Sequence, residues 1–167
     1  TTMNSKQLKS LREEIVVVFQ GGALFDSQTV LENVMFPLNL FSDLSYEEKR
    51  ERALFCLHRV ELNKAEDLYP SEISGGMKKR VARAIVLQPK FLFCDEPNSG
   101  LDPLTSIVID NLISELTHEY NMTTVVNTHD MNSVFEIGEK IVFIHEGRKE
   151  WEGSKEQIAH TDNPYLN

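Results

Sequence analysis

Only 17 of the 167 residues are lysine or arginine, against 26 aspartates and glutamates. The resulting formal charge of −9 argues against nonspecific binding to nucleic acid or an anionic lipid surface, because such a partner is bound by releasing counterions to a basic face. The strongly basic cluster, Lys78-Lys79-Arg80, fits within one helical turn and reads as a solvated face rather than a binding patch. Cysteine is scarcer still. Cys56 and Cys94 lie inside apolar segments, which fits buried thiols in a reducing compartment better than a disulfide framework or a metal site. No stretch approaches the roughly 18 to 20 apolar residues that span a bilayer. Thr1 to Ser10 is polar and lacks the apolar centre of a signal peptide. Any membrane association must therefore come through a partner. What is present, 41% hydrophobic and 26% charged residues, suffices for one soluble domain with its own core.

Four short apolar runs read as buried strands of a parallel sheet: Ile15 to Phe19, Phe91 to Cys94, Thr123 to Val126 and Ile141 to Ile144. Between the second and third, Leu104, Val108, Leu112 and Leu116 recur at every fourth position beside Ile109 and Ile113, which predicts an amphipathic helix over Leu104 to Tyr120. Strand, helix and strand in that order imply a right-handed crossover. His145-Glu-Gly-Arg148 reads as a hairpin turn leading into Lys149 to Trp151, so the sheet is expected to gain an antiparallel pair there, followed by a helix from Lys155 to His160. The stretch from Asn33 to Ser71 breaks the alternation. Ser45 with Glu48 forms a capping box, and the helix after it puts Ala53, Leu54, Leu57 and Val60 on one side. A mostly helical insertion at the sheet edge follows from this, without repeats or a low-complexity linker.

Chemistry concentrates after the strands. Phe91-Leu-Phe-Cys-Asp95-Glu96-Pro97 is an apolar strand that ends in two adjacent acids. At the C-terminal edge of a parallel sheet the first carboxylate can hold magnesium and the second can polarise a water against a phosphoryl group. An isolated pair of this kind is more often merely solvated. Ser71-Glu-Ile-Ser74-Gly75-Gly76-Met77 opens a helix, where free amides and the dipole favour an anion, although a serine and two glycines also make an ordinary cap. Ser99-Gly-Leu-Asp102-Pro103 follows the acids, and Asn127-Thr-His129-Asp130 follows the next strand; a histidine there is commonly a surface residue.

In this order, Phe19-Gln20, Ser74-Gly-Gly, the strand with Asp95-Glu96-Pro97, Ser99 to Pro103 and Thr128-His129-Asp130 resemble the nucleotide-binding domain of ABC transporters. The resemblance runs from Phe19-Gln20 to Glu146-Gly147. It implies an α/β fold of the P-loop NTPase type, a mostly parallel sheet with a helical subdomain over about residues 33–75. It implies ATP and magnesium as cofactors, Gln20 and Asp95 toward the metal, Glu96 as catalytic base and His129 as the switch histidine sensing the γ-phosphate. Ser74, Gly75, Gly76, Met77 and Asp102 would face ATP held by a second, identical subunit. The implied partners are that subunit and a transmembrane permease, on the cytoplasmic face of a bacterial inner membrane. Phe19-Gln-Gly-Gly-Ala-Leu-Phe-Asp26, Asn33-Val-Met-Phe-Pro37-Leu38 and Met77 further resemble ATPase subunits of the Mla or MCE-type lipid transporters, which move phospholipids or sterols across the bacterial envelope.

Two departures stand against that pattern. The sequence contains no G-x-x-x-x-G-K-[ST], the loop whose amides and lysine hold the β- and γ-phosphates. A fragment lacking the N-terminal strands, inactive alone and unable to dimerise on ATP, is the resulting expectation. Val81-Ala-Arg83-Ala-Ile85 is two residues shorter than the Val-Ala-x-x-Arg-Ala of the family, a change that turns the downstream helix face by about 200°. A non-catalytic regulatory or structural module, or an ABC ATPase without a permease, are the rival readings. The set Gln20, Asp95, Glu96 and His129 argues against the first, since no structural need requires it.

Overall fold

Helices of the first unit begin where a short polar side chain can close their free amides. In the computed structural model, which describes residues 3–19, 24–82 and 89–166, the chain divides into two units, Thr1–Asn127 and Thr128–Asn167. Helix α1 (Ser5–Glu14) starts on a capping box of Asn4 with Gln7. Helix α2 (Val30–Phe41) starts on Thr29 with Glu32, and α3 (Tyr46–Arg59) on the expected pair Ser45 and Glu48. Two further amides at the start of α2 are met by the loop before the next helical turn: Val30 N–H donates to the Leu68 carbonyl at 2.8 Å and Leu31 N–H to that of Glu66 at 3.0 Å. Helix α2 packs on α3, burying Val30, Val34, Leu38, Ala53 and Leu57. A single 3-10 turn (Pro70–Glu72) leads to α4 (Gly75–Ala82). Helix α1 lies in the polar segment that periodicity leaves unassigned.

The sheet of this unit has three parallel strands in the order β1 (Ile15–Val18), β2 (Phe91–Asp95), β3 (Thr123–Asn127). Residues Val16, Leu92 and Thr124 stand in register across it. At the entry to the first two strands, Lys90 N–H donates to the Glu14 carbonyl at 2.9 Å. Helix α5 (Pro103–Glu119) joins β2 to β3, one residue from the predicted bounds at each end. Its buried stripe is Ile109, Leu112, Ile113 and Leu116, and the sheet contributes Val18, Leu92 and Cys94 to the core. Arg59 fastens α3 to α5 by ion pairs with Glu115 at 3.1 Å and Glu119 at 2.5 Å. Glu115 and Glu119 are four residues apart and so share a helix face. Burial holds the Cys56 thiol protonated, with its pKa raised to about 11, in keeping with an inert thiol.

Continuous apolarity predicts strands buried on both sides, and here the structure differs. Burial alternates along β2, leaving Phe91 and Phe93 exposed with Val17 and Val125 on the same side of the sheet. Among the described residues one face carries the core and the other does not.

The second unit carries helix α6 (Met131–Ile137), strands β4 (Ile141–His145) and β5 (Arg148–Gly153), and a short α7 (Lys155–Ile158). Strand β4 pairs antiparallel with β5, as the hairpin reading of His145 to Arg148 expects, but the pair forms a two-stranded sheet of its own rather than an extension of the parallel one. The cause of the antiparallel pairing is local: Glu146 at φ 46° and Gly147 at φ 74° form the tight left-handed turn that lays the returning chain alongside, whereas parallel pairing needs a long crossover. Glu152 on β5 accepts from Lys140 at 2.7 Å and Lys149 at 2.8 Å. The hydrogen bond from Lys140, then that from Lys149, brings its carboxyl from the ordinary 4.5 down to about 2. A depressed folded-state value contributes stability that is present above the unfolded value and lost as pH falls through the folded one. Carboxyl NMR of the folded chain is therefore expected to show Glu152 still ionised at pH 3, and Lys140→Met to move its midpoint toward the ordinary range. A midpoint unmoved by that substitution would remove Lys140 from the account.

Candidate functional site

The acid pair at the end of β2 is held by the neighbouring strand. Parallel register sets Asn127 opposite Asp95, and the Asn127 amide donates to Asp95 Oδ1 at 2.8 Å. One carboxylate oxygen is thereby oriented while Asp95 stays exposed. The next residue leaves the strand abruptly. Glu96 N–H donates to the Asn127 carbonyl at 2.8 Å, and the Glu96 backbone has φ 48°, in the left-handed region that non-glycine residues seldom occupy.

A tight chain reversal follows. Ser99 N–H donates to the Glu96 carbonyl at 3.2 Å and Leu101 N–H to that of Asn98 at 3.1 Å. Beneath it, the buried Asn98 donates to the buried Asp110 of α5 at 2.8 Å, a charge-assisted bond in a low-dielectric setting. The turn ends at Asp102, which caps α5 by accepting from Thr105 N–H at 3.0 Å and from the Thr105 hydroxyl at 2.6 Å. That hydroxyl, then the amide, holds the Asp102 carboxyl below the usual range.

Ser74 caps α4. Its hydroxyl oxygen accepts from Met77 N–H at 3.2 Å, leaving the exposed Gly75 without any heavy atom within 4 Å of where a side chain would project. The basic cluster on the same helix is not the solvated face that its composition predicts. Lys79 Nζ donates to the Ser99 carbonyl. Arg80 donates to the Val60 and Glu61 carbonyls at 3.2 Å each, at the C-terminal end of α3, where a cation also meets the negative end of the helix dipole. Consecutive helical residues point about 100° apart, so one turn of α4 reaches two different elements.

Asp95, Glu96 and Asp102 are thus brought onto one short segment, and Ser74 is joined to it through α4. Magnesium sites of nucleotide enzymes typically carry one or two carboxylates, with phosphate and water completing the octahedron. The exposed, oriented Asp95 fits that donor set, and among the described residues no cluster of three or more His, Cys, Asp or Glu side chains gathers as a closed metal cage. Gln20 lies outside the described residues, as does the shortened stretch from Arg83. His129 belongs to the second unit. It sits in a turn closed by Asp130 N–H donating to the Thr128 hydroxyl at 3.0 Å, before Asp130 caps α6 through Asn132 N–H at 2.9 Å.

Several residues that build this arrangement escape sequence reasoning. Asn127 was legible only as the start of a histidine motif, although aligning the two strand ends would have set it opposite Asp95. Asn98 and Asp110 leave no signal, being polar residues that look solvent-facing until both are found buried. Asn33 is a third case: its amide donates to the Phe25 and Gln28 carbonyls at 3.1 Å each, and its carbonyl oxygen accepts from Phe25 N–H at 2.7 Å. The Phe25 and Phe36 rings meet at 4.7 Å between centroids, so the segment before α2 is tied to that helix.

A family profile described as ABC transporter matches residues 1–99. Among curated proteins, the methionine import ATP-binding protein MetN of Carboxydothermus hydrogenoformans is 41% identical over 155 residues, covering 92% of this chain and 46% of its own length. MetN 1 of Pseudomonas putida is 35% identical over 167 residues, covering 98% of this chain and 50% of that protein. The chain spans about half the length of the curated relatives it matches. Among solved structures, a dimeric ATP-binding cassette in a post-hydrolysis state bound to ADP and Pi superposes with a TM-score of 0.82 at 36% identity, over 92% of this chain and 68% of that one. A chain of the cbiONQ ABC transporter complex of Clostridium perfringens gives 0.81 at 32% identity, over 93% and 63%. The curated relatives named here are methionine import ATP-binding proteins, so they do not support the lipid-transport subfamily that residues 19–26 and 33–38 suggest. The α/β fold with its parallel sheet is that of the ABC ATPases, and the chain belongs to the ABC transporter family as an ATP-binding domain.

Proposed function

We propose that this chain is the ATP-hydrolysing part of an ABC transporter subunit, acting as one of two identical subunits on a membrane permease at the cytoplasmic face. The carrying observation is the acid pair at the C-terminal edge of a parallel sheet, its first carboxylate oriented by Asn127 at 2.8 Å. Bound magnesium supplies charge neutralisation on the phosphate oxygens. Asp95 is the carboxylate placed to hold it, with Gln20 as its companion. Glu96 accepts a proton from the attacking water as the new P–O bond forms; the bond between the γ-phosphorus and the β–γ bridging oxygen breaks, and ADP leaves. His129 contacts the γ-phosphate. Ser74, Gly75, Gly76, Met77 and Asp102 face ATP on the partner subunit, where the amides at the start of α4 suit an anion.

Cargo is selected by the permease, so the ATPase domain bears on it only through the surface it offers that partner. Amino-acid import, in the manner of the relatives named for methionine, is the first reading. A lipid cargo is the second, favoured by the segments Phe19 to Asp26 and Asn33 to Leu38, in which Asn33 binds the Phe25 backbone. The test is magnesium-dependent hydrolysis by the natural full-length chain reconstituted with its permease in liposomes. Stimulation by methionine supports the first cargo, and movement of labelled phospholipid supports the second. Absence of hydrolysis in every condition rejects the ATPase reading.

A further inference from the structure

We propose that Lys79 is a positioning residue that pins the turn over Ser99 to Asp102 to helix α4, so that Ser74 and Asp102 are presented as one rigid edge. Part of its consequence rests on the ATPase reading above; the pin itself does not. Lys79 Nζ donates to the Ser99 carbonyl from a half-buried position on α4. Gly100 lies beside the same ammonium. A side-chain carbon built there would come within 2.7 Å of Lys79 Nζ, and the Gly100 backbone has φ 66°. Glycine is the residue that adopts this conformation without strain, and the end of the Lys79 side chain lies alongside it.

Further anchors of the turn come from beneath and behind. Asn98 is fixed to Asp110 on α5, and Glu96 to β3 through the Asn127 carbonyl. The contact from Lys79 ties this turn to the helix that Ser74 caps. Loss of the lysine would leave Asp95 and Glu96 held by β3 while removing this tie between Ser99 and α4. Both groups freed from a common frame act only once ATP is sandwiched between subunits, so turnover would suffer more than initial nucleotide binding.

The test compares Lys79→Met, which keeps the stem and removes the donor, with Lys79→Arg, which restores a donor. Hydrogen exchange on the 167-residue chain reads the pin directly. The Ser99 and Leu101 amides, both bonded within the turn, are expected to exchange about tenfold faster in Lys79→Met. Leu92 to Cys94 should remain as protected as in the parent, showing that the fold is intact, and Lys79→Arg should recover the slow rate. Unchanged exchange at Ser99 and Leu101 overturns the proposal. In the full-length ATPase on its permease, Lys79→Met is expected to lower kcat about tenfold with KM for ATP within about twofold. A rise in KM alone would overturn the coupling. A parent enzyme that hydrolyses no ATP would reject the functional reading instead, while the exchange result still decides the pin.

Discussion

Glu96→Gln is expected to lower ATP turnover of the full-length, permease-bound enzyme by about 10²- to 10⁴-fold, the range that a positioned general base contributes. Glutamine has nearly the same volume and accepts the same backbone conformation, so the turn held through Asn127 and Asn98 should survive. What disappears is the basicity needed to take a proton from water. Nucleotide affinity is expected to stay within about twofold, because loss confined to the chemical step leaves binding in place. Phosphate release and nucleotide titration on one preparation separate the two. A loss of less than about tenfold would move the role of base elsewhere, with His129 the next group to test by the same pair of measurements. Asp95→Asn gives a useful contrast: a change in the magnesium dependence would mark it as the metal residue, where Glu96→Gln should leave that dependence alone.

Leu92→Ala is expected to cost about 3 to 4 kcal/mol of folding stability, within the range for emptying a fully buried leucine site. Leu92 is 0% exposed and lies in the middle strand, in register with Val16 and Thr124, so no free edge is available to relax into the cavity. Against a total of roughly 5 to 15 kcal/mol, such a loss lowers the melting temperature by about 10 °C in a chain of this size. Its neighbour provides the control. Phe93 points to the opposite face and is 39% exposed, so Phe93→Ala should cost less, about 1 to 2 kcal/mol. Urea unfolding with a constant m-value measures both. Equal costs at the two positions would mean that the outer face of the sheet is covered in solution.

That contrast also shows where reading the sequence stopped. The strand positions were legible because apolar runs of four or five residues flanked by polar ones permit little else, and α5 because its stripe is long and regular. The two-faced burial was not, since an unbroken apolar run predicts the same strand whether one side or both are packed. Strand β4 resembles its three predecessors in apolarity, and the two-residue turn at Glu146 and Gly147 made its hairpin with β5 legible; that the hairpin forms its own sheet was not. The acids were legible as the abrupt end of an apolar strand. Their supports were not, because each support is a long-range pair: Asn127 with Asp95, Asn98 with Asp110, and Lys79 with the Ser99 carbonyl. Spacing along a chain reports neighbours on one helix or strand and is silent on contacts made across elements. Composition misled in the same way at Lys78-Lys79-Arg80, where two of three cations serve carbonyl groups of other elements.

Glu96 adopts its left-handed backbone, φ 48°, at a cost of about 1 to 2 kcal/mol for a residue with a side chain. Glycine or asparagine would sit there more comfortably. The site of proposed chemistry is therefore also a place where the fold would gain by change, which sets two selections against each other. A laboratory lineage chosen for heat resistance alone would have reason to discard the glutamate, and its most robust members would be the ones that no longer work.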